Sequence, residues 1–566
     1  MAARRALRRL RNIALVASAL LVIGAAWFAI EVHVSAPLSE GETDRVPARS
    51  QGPDGRWHVG RNWLGRDSLG LYEAYVEGGE LERGLAYGAL ASELIEEQER
   101  IFVGRLREMV PGAVRLDYLK YFTAWYNRDL DEHVPHEYLR EIYGVSRSFA
   151  DAYDFVGPKY MRALNYHAAH DIGHALTDLA MVGCTSFAAK GERSADGQLI
   201  IGRNFDFWMG DDFAREKLIL FIRPDEGIPH VLVSWGGFMG AASAMNLEGL
   251  TVTINAARSE LPYGARTPIA LLARAIVQHA ATIDEAIAIA AKHEVFVSES
   301  ILVASARDGR AVIIEKAPNG MDVYDPGTDL LVCANHYQSD RFKDSAPNQA
   351  NIRESDTMAR FRRMQQLVDS AGTLDPSNAA AILRERKGFN GAELGMGNPA
   401  SINQLIAHHA VIMQPTERRL YVSAWPYQLG AFACYDLRYV FARCASGDGL
   451  TIIRDTARTI DPDPFLITPQ FAEHQWWQQQ RTRIASSVLA GAPITLTAQE
   501  TQRFVAAAPD SYITHMALGD LHRARQENVL AAERYSAALR LPVASKKERE
   551  RLEERLRACT LAAAEP

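Results

Sequence analysis

Cys184 stands between Gly183 and Thr185-Ser186, and about twenty residues later the chain reads Gly202-Arg203-Asn204-Phe205-Asp206. A cysteine thiolate attacks a carbonyl carbon far better than the thiol, and a free cysteine near neutral pH is mostly thiol. A cysteine at a chain terminus carries its own base, because an α-amine has a reference pKa of about 7.7–8.0. Cutting the chain between Gly183 and Cys184 would make Cys184 both a new N-terminus and a nucleophile. Arg203 and Asp206 have the charges such a site needs. A guanidinium favours the thiolate, and a carboxylate can orient the new ammonium group.

The local pattern brings these residues together. Residues 185–189 and 199–207 read as two strands joined through Asp196-Gly197, a hairpin turn signal. Pairing across that turn returns Arg203 and Asp206 to the Cys184 end. Further strands are expected at 218–223, 230–235, 250–255, 300–306, 311–316, 330–334, 407–413 and 420–424, with helices at 268–279, 283–293, 357–370 and 377–386. Strands joined by hairpins, with helices between them and no glycine-rich phosphate loop, fit an α+β arrangement of two stacked sheets covered by helices.

The catalytic stretch has companions on both sides. Residues 32–60 read as a linker, with Pro37, Pro47 and Pro53. Residues 61–183 read as a mostly helical block, since Tyr75, Leu81, Leu85, Tyr87, Leu90, Leu94 and Ile95 recur at helical steps. Residues 184–445 form the expected catalytic unit. Residues 446–566 read as a helical tail, in which Leu518, Gly519, Ala531, Tyr535, Ala538 and Pro542 have the spacing of one tetratricopeptide-like hairpin. His167, His170 and His174 share one helical face, but no matching carboxylate motif accompanies them, so a packed histidine face is expected and no metal is assigned.

A net charge of −7 over 566 residues argues against a general nucleic-acid binder, and 48% hydrophobic with 23% charged content is ordinary for a folded protein. Five cysteines, at 184, 333, 434, 444 and 559, are too few and too irregular for a disulfide framework, although Cys434 and Cys444 could be bridged in an oxidising compartment. Arg4, Arg5, Arg8, Arg9 and Arg11 precede an uncharged apolar run over residues 13–30. As a helix that run is about 27 Å long and reaches across a hydrocarbon core. The positive-inside bias puts residues 1–31 down as a cytoplasmic end plus signal anchor, with the rest on the extracytoplasmic, periplasmic side. A cleaved signal peptide is the competing reading; its best site, Val34-Ser35-Ala36, is followed by Pro37.

The stretch around Gly183-Cys184-Thr185-Ser186 and Gly202-Arg203-Asn204-Phe205-Asp206 resembles the N-terminal nucleophile hydrolases. It is most similar to the self-processing isopenicillin N acyltransferase (acyl-CoA:6-aminopenicillanic acid acyltransferase) family. The run from Met245 to Asn255, Cys333-Ala334-Asn335-His336-Tyr337, and Ser355 to Arg360 fit in order, over roughly residues 65–430. The resemblance implies a four-layer αββα sandwich, self-cleavage at Gly183–Cys184 and a helical α-chain ending at the cut. It implies a nucleophilic Cys184 and an Arg203–Asp206 pair beside it. Asn255 and Asn335 would help form the oxyanion site, and Arg360 would be the late active-site arginine, with Arg362 and Arg363 close in register. An asparagine amide suits that role because it donates without changing protonation state. No cofactor is implied.

The expected function is an autoproteolytically activated cysteine amidohydrolase acting on the carbon–nitrogen bond of a small acyl amide or lipid-like substrate. Transfer of the acyl group to an amine is the alternative, separable by incubation with a model N-acyl amide with and without an amine. A third reading is a non-catalytic anchored scaffold whose helical tail binds a protein partner; an uncut mature chain would favour it. Phe205, Phe207, Trp208, Trp235 and Phe238 are candidates to line the substrate pocket.

Overall fold

The computed structural model describes residues 2–109, 113–168, 183–259, 264–446 and 452–564. Among these described residues, eighteen strands make two sheets. In chain order they are β1 (Ser50–Gln51), β2 (Trp57–Val59), β3 (Asn62–Arg66), β4 (Tyr72–Gly78), β5 (Thr185–Ala189), β6 (Ile200–Phe205), β7 (Leu218–Pro224), β8 (His230–Ser234) and β9 (Ser243–Asn246). They continue as β10 (Leu250–Ala256), β11 (Glu299–Ser305), β12 (Arg310–Ala317), β13 (Gly320–Tyr324), β14 (Leu330–Cys333), β15 (His409–Gln414), β16 (Arg419–Ser423), β17 (Phe432–Asp436) and β18 (Asp455–Ile460). The larger sheet runs β1-β2-β3-β4-β7-β8-β9-β10-β11-β12-β13, and the smaller β14-β5-β6-β15-β16-β17-β18.

Both faces of each sheet are buried, and side-chain alternation assigns each residue to a layer. On β7, Ile219 and Phe221 enter the core between the sheets, while Leu218, Leu220 and Ile222 face the outer helices. On β15, Val411 and Met413 enter the same inter-sheet core, while Ala410 and Ile412 meet the helices Thr357–Ser370 and Pro376–Leu383 on the other outer face. Helices Glu80–Leu90, His136–Ser146, Ile269–His279 and Ile283–Lys292 cover the large sheet. The result is the four-layer αββα sandwich. Each fully buried Leu, Ile, Val or Phe contributes about 1.5–3 kcal/mol, so the layering is fixed many times over.

Three boundaries differ from the expected ones. The supposed linker contains β1 and β2, which edge the large sheet. The block from residue 61 opens with strands: β4 lies inside the large sheet, pairing antiparallel with β3 and in parallel with β7 from Tyr72–Leu218 to Gly78–Pro224. Tyr75 had been counted with the helical positions of the next element. It belongs to β4 and faces the inter-sheet core, whereas Ala74 and Val76 face the helices. The helix starts only at Glu80, after Gly78 (φ +106°) turns the chain. At the other end, β18 completes the small sheet beyond residue 446, so the sandwich extends to Ile460.

The C-terminal helices have their own core of Trp477, Phe504, Tyr512, Leu518, Tyr535 and others. Helices Tyr512–Ala524 and Asn528–Leu539 pack closely because Gly519 has no Cβ; one there would fall 2.6 Å from the Tyr535 ring. This region docks on the sandwich. The Asn398 amide donates to the Pro542 carbonyl (2.9 Å), the Gln478 amide to that of Leu405 (3.3 Å), and the Tyr427 hydroxyl to Gln478 (3.1 Å). The five cysteines are free and buried. Cys434 packs in the outer helical layer and Cys444 between the sheets, which puts them on opposite faces of the small sheet.

At the N-terminus the helix Ala2–Glu31 includes a stretch, Leu7–Glu31, that is long and apolar enough to cross a membrane. A signal sequence has the same properties. At its far end Phe28 stacks on Trp125 with centroids 5.9 Å apart, and Trp27 meets the same ring tilted at 57°, 5.3 Å away.

Candidate active site

Cys184 immediately precedes β5. Its neighbours are set by the β5–β6 register, in which Ser186 pairs with Arg203 and Thr185 with Asn204. Gly183 extends the ladder by donating its N–H to the Asp206 backbone carbonyl (3.0 Å). The β5–β6 pairing brings Arg203 and Asp206 to Cys184, but through a ten-residue connection, residues 190–199, that includes the 3-10 turn Gly191–Arg193, and not through a two-residue turn at Asp196-Gly197. Gly197 occupies the left-handed region (φ +71°) in the connecting loop.

Cys184 is 1% exposed. The Arg203 guanidinium donates to its Sγ at 3.7 Å, to the Ser243 hydroxyl at 2.6 Å and to the Ala242 carbonyl at 3.1 Å, and also to the Ile254 carbonyl. Burial pushes the Cys184 thiol up to about 11; Arg203 pulls the other way, and Asp206 and Glu299 add to the rise. In the intact chain this favours the thiol form of Cys184. Burial also pushes Asp206 up to about 7, against the pull of Arg360 and Arg203. A carboxylate that titrates near neutrality is suited to accept and return a proton.

Arg360 lies on the helix Thr357–Ser370 and is 1% exposed. One nitrogen donates to the Cys184 carbonyl (2.8 Å) and Thr185 Oγ1 (2.9 Å), the other to Asn335 Oδ1 and Asp356 Oδ1 (both 2.9 Å). Asp356 is four residues earlier, one helical turn away, where it can hold the arginine extended. The neighbouring arginines are placed elsewhere: Arg362 is exposed, and Arg363 pairs with Glu385 at 3.1 Å.

The two asparagines lie in the same neighbourhood with their amide donors committed. Asn255 Nδ2 donates to the Cys333 carbonyl (3.2 Å) while its Oδ1 accepts from Ser186. Asn335 Nδ2 donates to the Ala256 carbonyl (2.8 Å). The donor that meets the Gly183 carbonyl is a residue that sequence reasoning missed, Gln404, whose Nε2 lies 2.8 Å from that oxygen and 3.4 Å from Asp206 Oδ2. Nothing local marks Gln404, because it reaches the site from a loop more than two hundred residues along the chain. Ser243 was also missed. It accepts from Arg203 and contacts His409 at 2.9 Å, and His409 in turn contacts His408 at 2.8 Å.

An apolar floor adjoins Cys184. Cys184, Phe205 and Ala242 pack together with half-buried Phe207 and Trp235. Phe205 stacks on Phe207 (5.6 Å), and Trp235 stacks on Phe238 (4.2 Å). Trp208 does not join this stack; the Arg105 guanidinium lies over its ring at 5.0 Å.

His167 is buried and stacked on Phe238 at 5.1 Å. Its Nε2 accepts from the Met239 N–H (2.9 Å), its Nδ1 faces the Ala163 carbonyl (2.7 Å), and burial pushes its pKa down to about 4. Both ring nitrogens are thus engaged in packing a neutral ring. His170 and His174 lie outside the described residues.

Residues 193–394 match the model of the acyl-coenzyme A:6-aminopenicillanic acid acyl-transferase family. The match begins just after Cys184 and covers Arg203, Asp206, Asn255, Asn335 and Arg360. An uncharacterized protein of Archaeoglobus fulgidus is 26% identical over 246 residues, 40% of this chain and 40% of that protein, so the alignment spans well under half of either. Among solved structures, a Caenorhabditis elegans N-acylethanolamine-hydrolyzing acid amidase ortholog is 18% identical over 41% of this chain and 93% of its own, at a TM-score of 0.30. A mutant conjugated bile acid hydrolase of Clostridium perfringens is 12% identical over 45% of this chain and 92% of its own, at 0.32. Residues 193–394 of the sandwich, which hold Arg203, Asp206, Asn255, Asn335 and Arg360, are therefore similar to the acyl-coenzyme A:6-aminopenicillanic acid acyl-transferase family.

Proposed function

We propose that the chain cuts itself between Gly183 and Cys184, and that the exposed Cys184 terminus then hydrolyses the carbon–nitrogen bond of an acyl amide. The observation that carries this reading is Cys184 at the head of β5, with the Arg203 guanidinium 3.7 Å from its Sγ and the Gly183 carbonyl already held by a side-chain donor. In the first stage Asp206 takes the thiol proton and Sγ bonds to the Gly183 carbonyl carbon. The Gly183–Cys184 C–N bond then breaks, with the proton passing to the departing nitrogen. Water hydrolyses the thioester, leaving a Gly183 carboxylate, a free thiol and a Cys184 amine. In the mature enzyme that amine is the base, with Asp206 as its counter-charge. The thiolate attacks the substrate carbonyl, the amine component leaves protonated, and water releases the acid.

Half-buried Phe207 and Trp235, beside Cys184, favour a substrate whose acyl part is apolar. Asn255 and Asn335, whose amides donate to the Cys333 and Ala256 carbonyls, are the candidates to serve the substrate oxyanion. The arginine-rich end and the helix Ala2–Glu31 support an anchor that holds the catalytic layers at the outer, periplasmic side of a membrane. Transfer of the acyl group to an amine remains the second reading, favoured by the acyl-transferase description of the matching family model.

N-terminal sequencing of the mature protein tests the cut: Cys184 should appear as a second N-terminus, and its absence would sink the proposal. A model N-acyl amide incubated with and without an added amine then separates the activities, since free acid alone in both means hydrolysis. The pH profile has a fixed sign. The Asp206 pKa is raised, so the base is protonated below about 7 and free above it. Cutting of freshly made precursor should speed up about tenfold per pH unit below that value and level off above it. A profile flat from about pH 5.5 to 8 would exclude Asp206 as the base for this step.

A further inference from the structure

We infer that Gln404 is the catalytic donor for self-cleavage, stabilising the oxyanion that forms on Gly183, and that it is the reason a glycine precedes Cys184. The inference rests on the self-cleavage reading above. When Sγ bonds to the Gly183 carbon, the carbonyl π pair moves onto oxygen, and Gln404 Nε2, 2.8 Å away in the ground state, donates to the growing negative charge. The pair returns to carbon as the C–N bond to Cys184 breaks, and the amide donor emerges unchanged. Among the described residues, Gln404 is the side-chain donor that faces this oxygen, since Asn255 and Asn335 give theirs to backbone carbonyls.

The amide lies directly against the Gly183 Cα. A Cβ there would fall 2.4 Å from Gln404 Nε2, 2.9 Å from its Oε1 and 3.1 Å from its Cδ, so any other residue would displace the donor. The loop is held rigidly enough for the placement to matter. Asn403 donates its N–H to the Glu385 carbonyl (2.8 Å), its side chain accepts from the Leu405 N–H (3.0 Å), and Gln478 of the C-terminal region donates to the Leu405 carbonyl (3.3 Å). Leu405 itself holds the left-handed region (φ +56°), a strained conformation that persists only where its surroundings impose it. A donor fixed before the reaction stabilises charge without reorganising, and removing one such donor typically costs about 10²–10³ in rate.

The test is the rate at which full-length chain, made by cell-free synthesis, is converted to two fragments on a denaturing gel. Gln404→Met removes the donor at nearly constant volume, Gln404→Glu replaces it with a carboxylate, and Gly183→Ala leaves Gln404 in place but pushes it aside. All three should slow the cut by about 10²-fold. Combining Gly183→Ala with Gln404→Met should slow it little further, because both remove the same interaction. A Gln404→Met or Gln404→Glu chain that melts cooperatively and cuts at the wild-type rate overturns the inference, as does a Gly183→Ala effect that simply multiplies with Gln404→Met. Gly183→Ala perturbs the contact with Gln404 unmutated, so it also decides the matter if neither Gln404 variant folds. A wild-type chain that stays whole would instead overturn the self-cleavage reading.

Discussion

A Cys184→Ala chain is expected to remain a single full-length polypeptide and to show no turnover of any acyl amide. The size of the effect follows from chemistry, since alanine offers no nucleophile for either stage. Cys333 is buried as well, and burial raises its thiol pKa further still, so it is a poorer source of thiolate. The substitution should leave the fold intact. Cys184 packs with Phe205 and Ala242, and losing one sulfur leaves a gap of about methyl size, worth about 1 kcal/mol. Intact mass and thermal unfolding of the same sample check both halves. Two fragments from a Cys184→Ala chain would show that some other group, or a contaminating protease, makes the cut.

Arg360→Met should be the most destabilising single change in the site. It removes donors from the Cys184 carbonyl, Thr185 Oγ1 and Asn335 Oδ1, and the counter-charge from Asp356, all in a nearly dry environment. Removing one partner from a buried charged network costs about 3–5 kcal/mol, because the groups left behind keep their desolvation penalty. Arg360→Lys retains the charge but cannot reach four acceptors at once, so it should fall between Met and wild type. Denaturant midpoints measured in a Cys184→Ala background, where every sample is one uncut chain, give the comparison. If Met and wild type unfold at the same midpoint, the network holds Cys184 far less firmly than its distances imply.

Legibility in the sequence followed how local each signal is. Asp196-Gly197 announces a hairpin, and the β5–β6 pairing does place Arg203 and Asp206 beside Cys184, although a two-residue turn at that dipeptide would set a register four positions away. The two-sheet architecture was readable because β7, β8, β10, β11 and β12 are short apolar runs set off by turn residues. Arg360 was separable from Arg362 and Arg363 only in three dimensions, where the helical phase turns Arg360 inward, exposes Arg362 and gives Arg363 to Glu385. Gln404 carries no local mark, because its role comes from a loop folded back across the molecule. β4 was hidden for a different reason. Its apolar residues are followed within three positions by a strongly periodic helix, and Tyr75 fits both patterns.

That strand also sets what the proposed cut would do to folding. β4 belongs to the segment before Gly183 yet lies inside the large sheet, between β3 of the same segment and β7 of the next, with a seven-residue parallel ladder to β7. Severing the Gly183–Cys184 bond therefore cannot release the first piece without opening the sheet along that ladder. It does turn a unimolecular folding reaction into an association. The uncut chain should refold from denaturant at a rate independent of concentration, whereas the cut enzyme must find its partner strand by collision. Its unfolding midpoint then shifts with protein concentration, as for any assembly whose folding is coupled to binding. On the proposed cut, the Gly183–Cys184 bond is a tether during folding, and afterwards the β4–β7 ladder is what joins the two pieces.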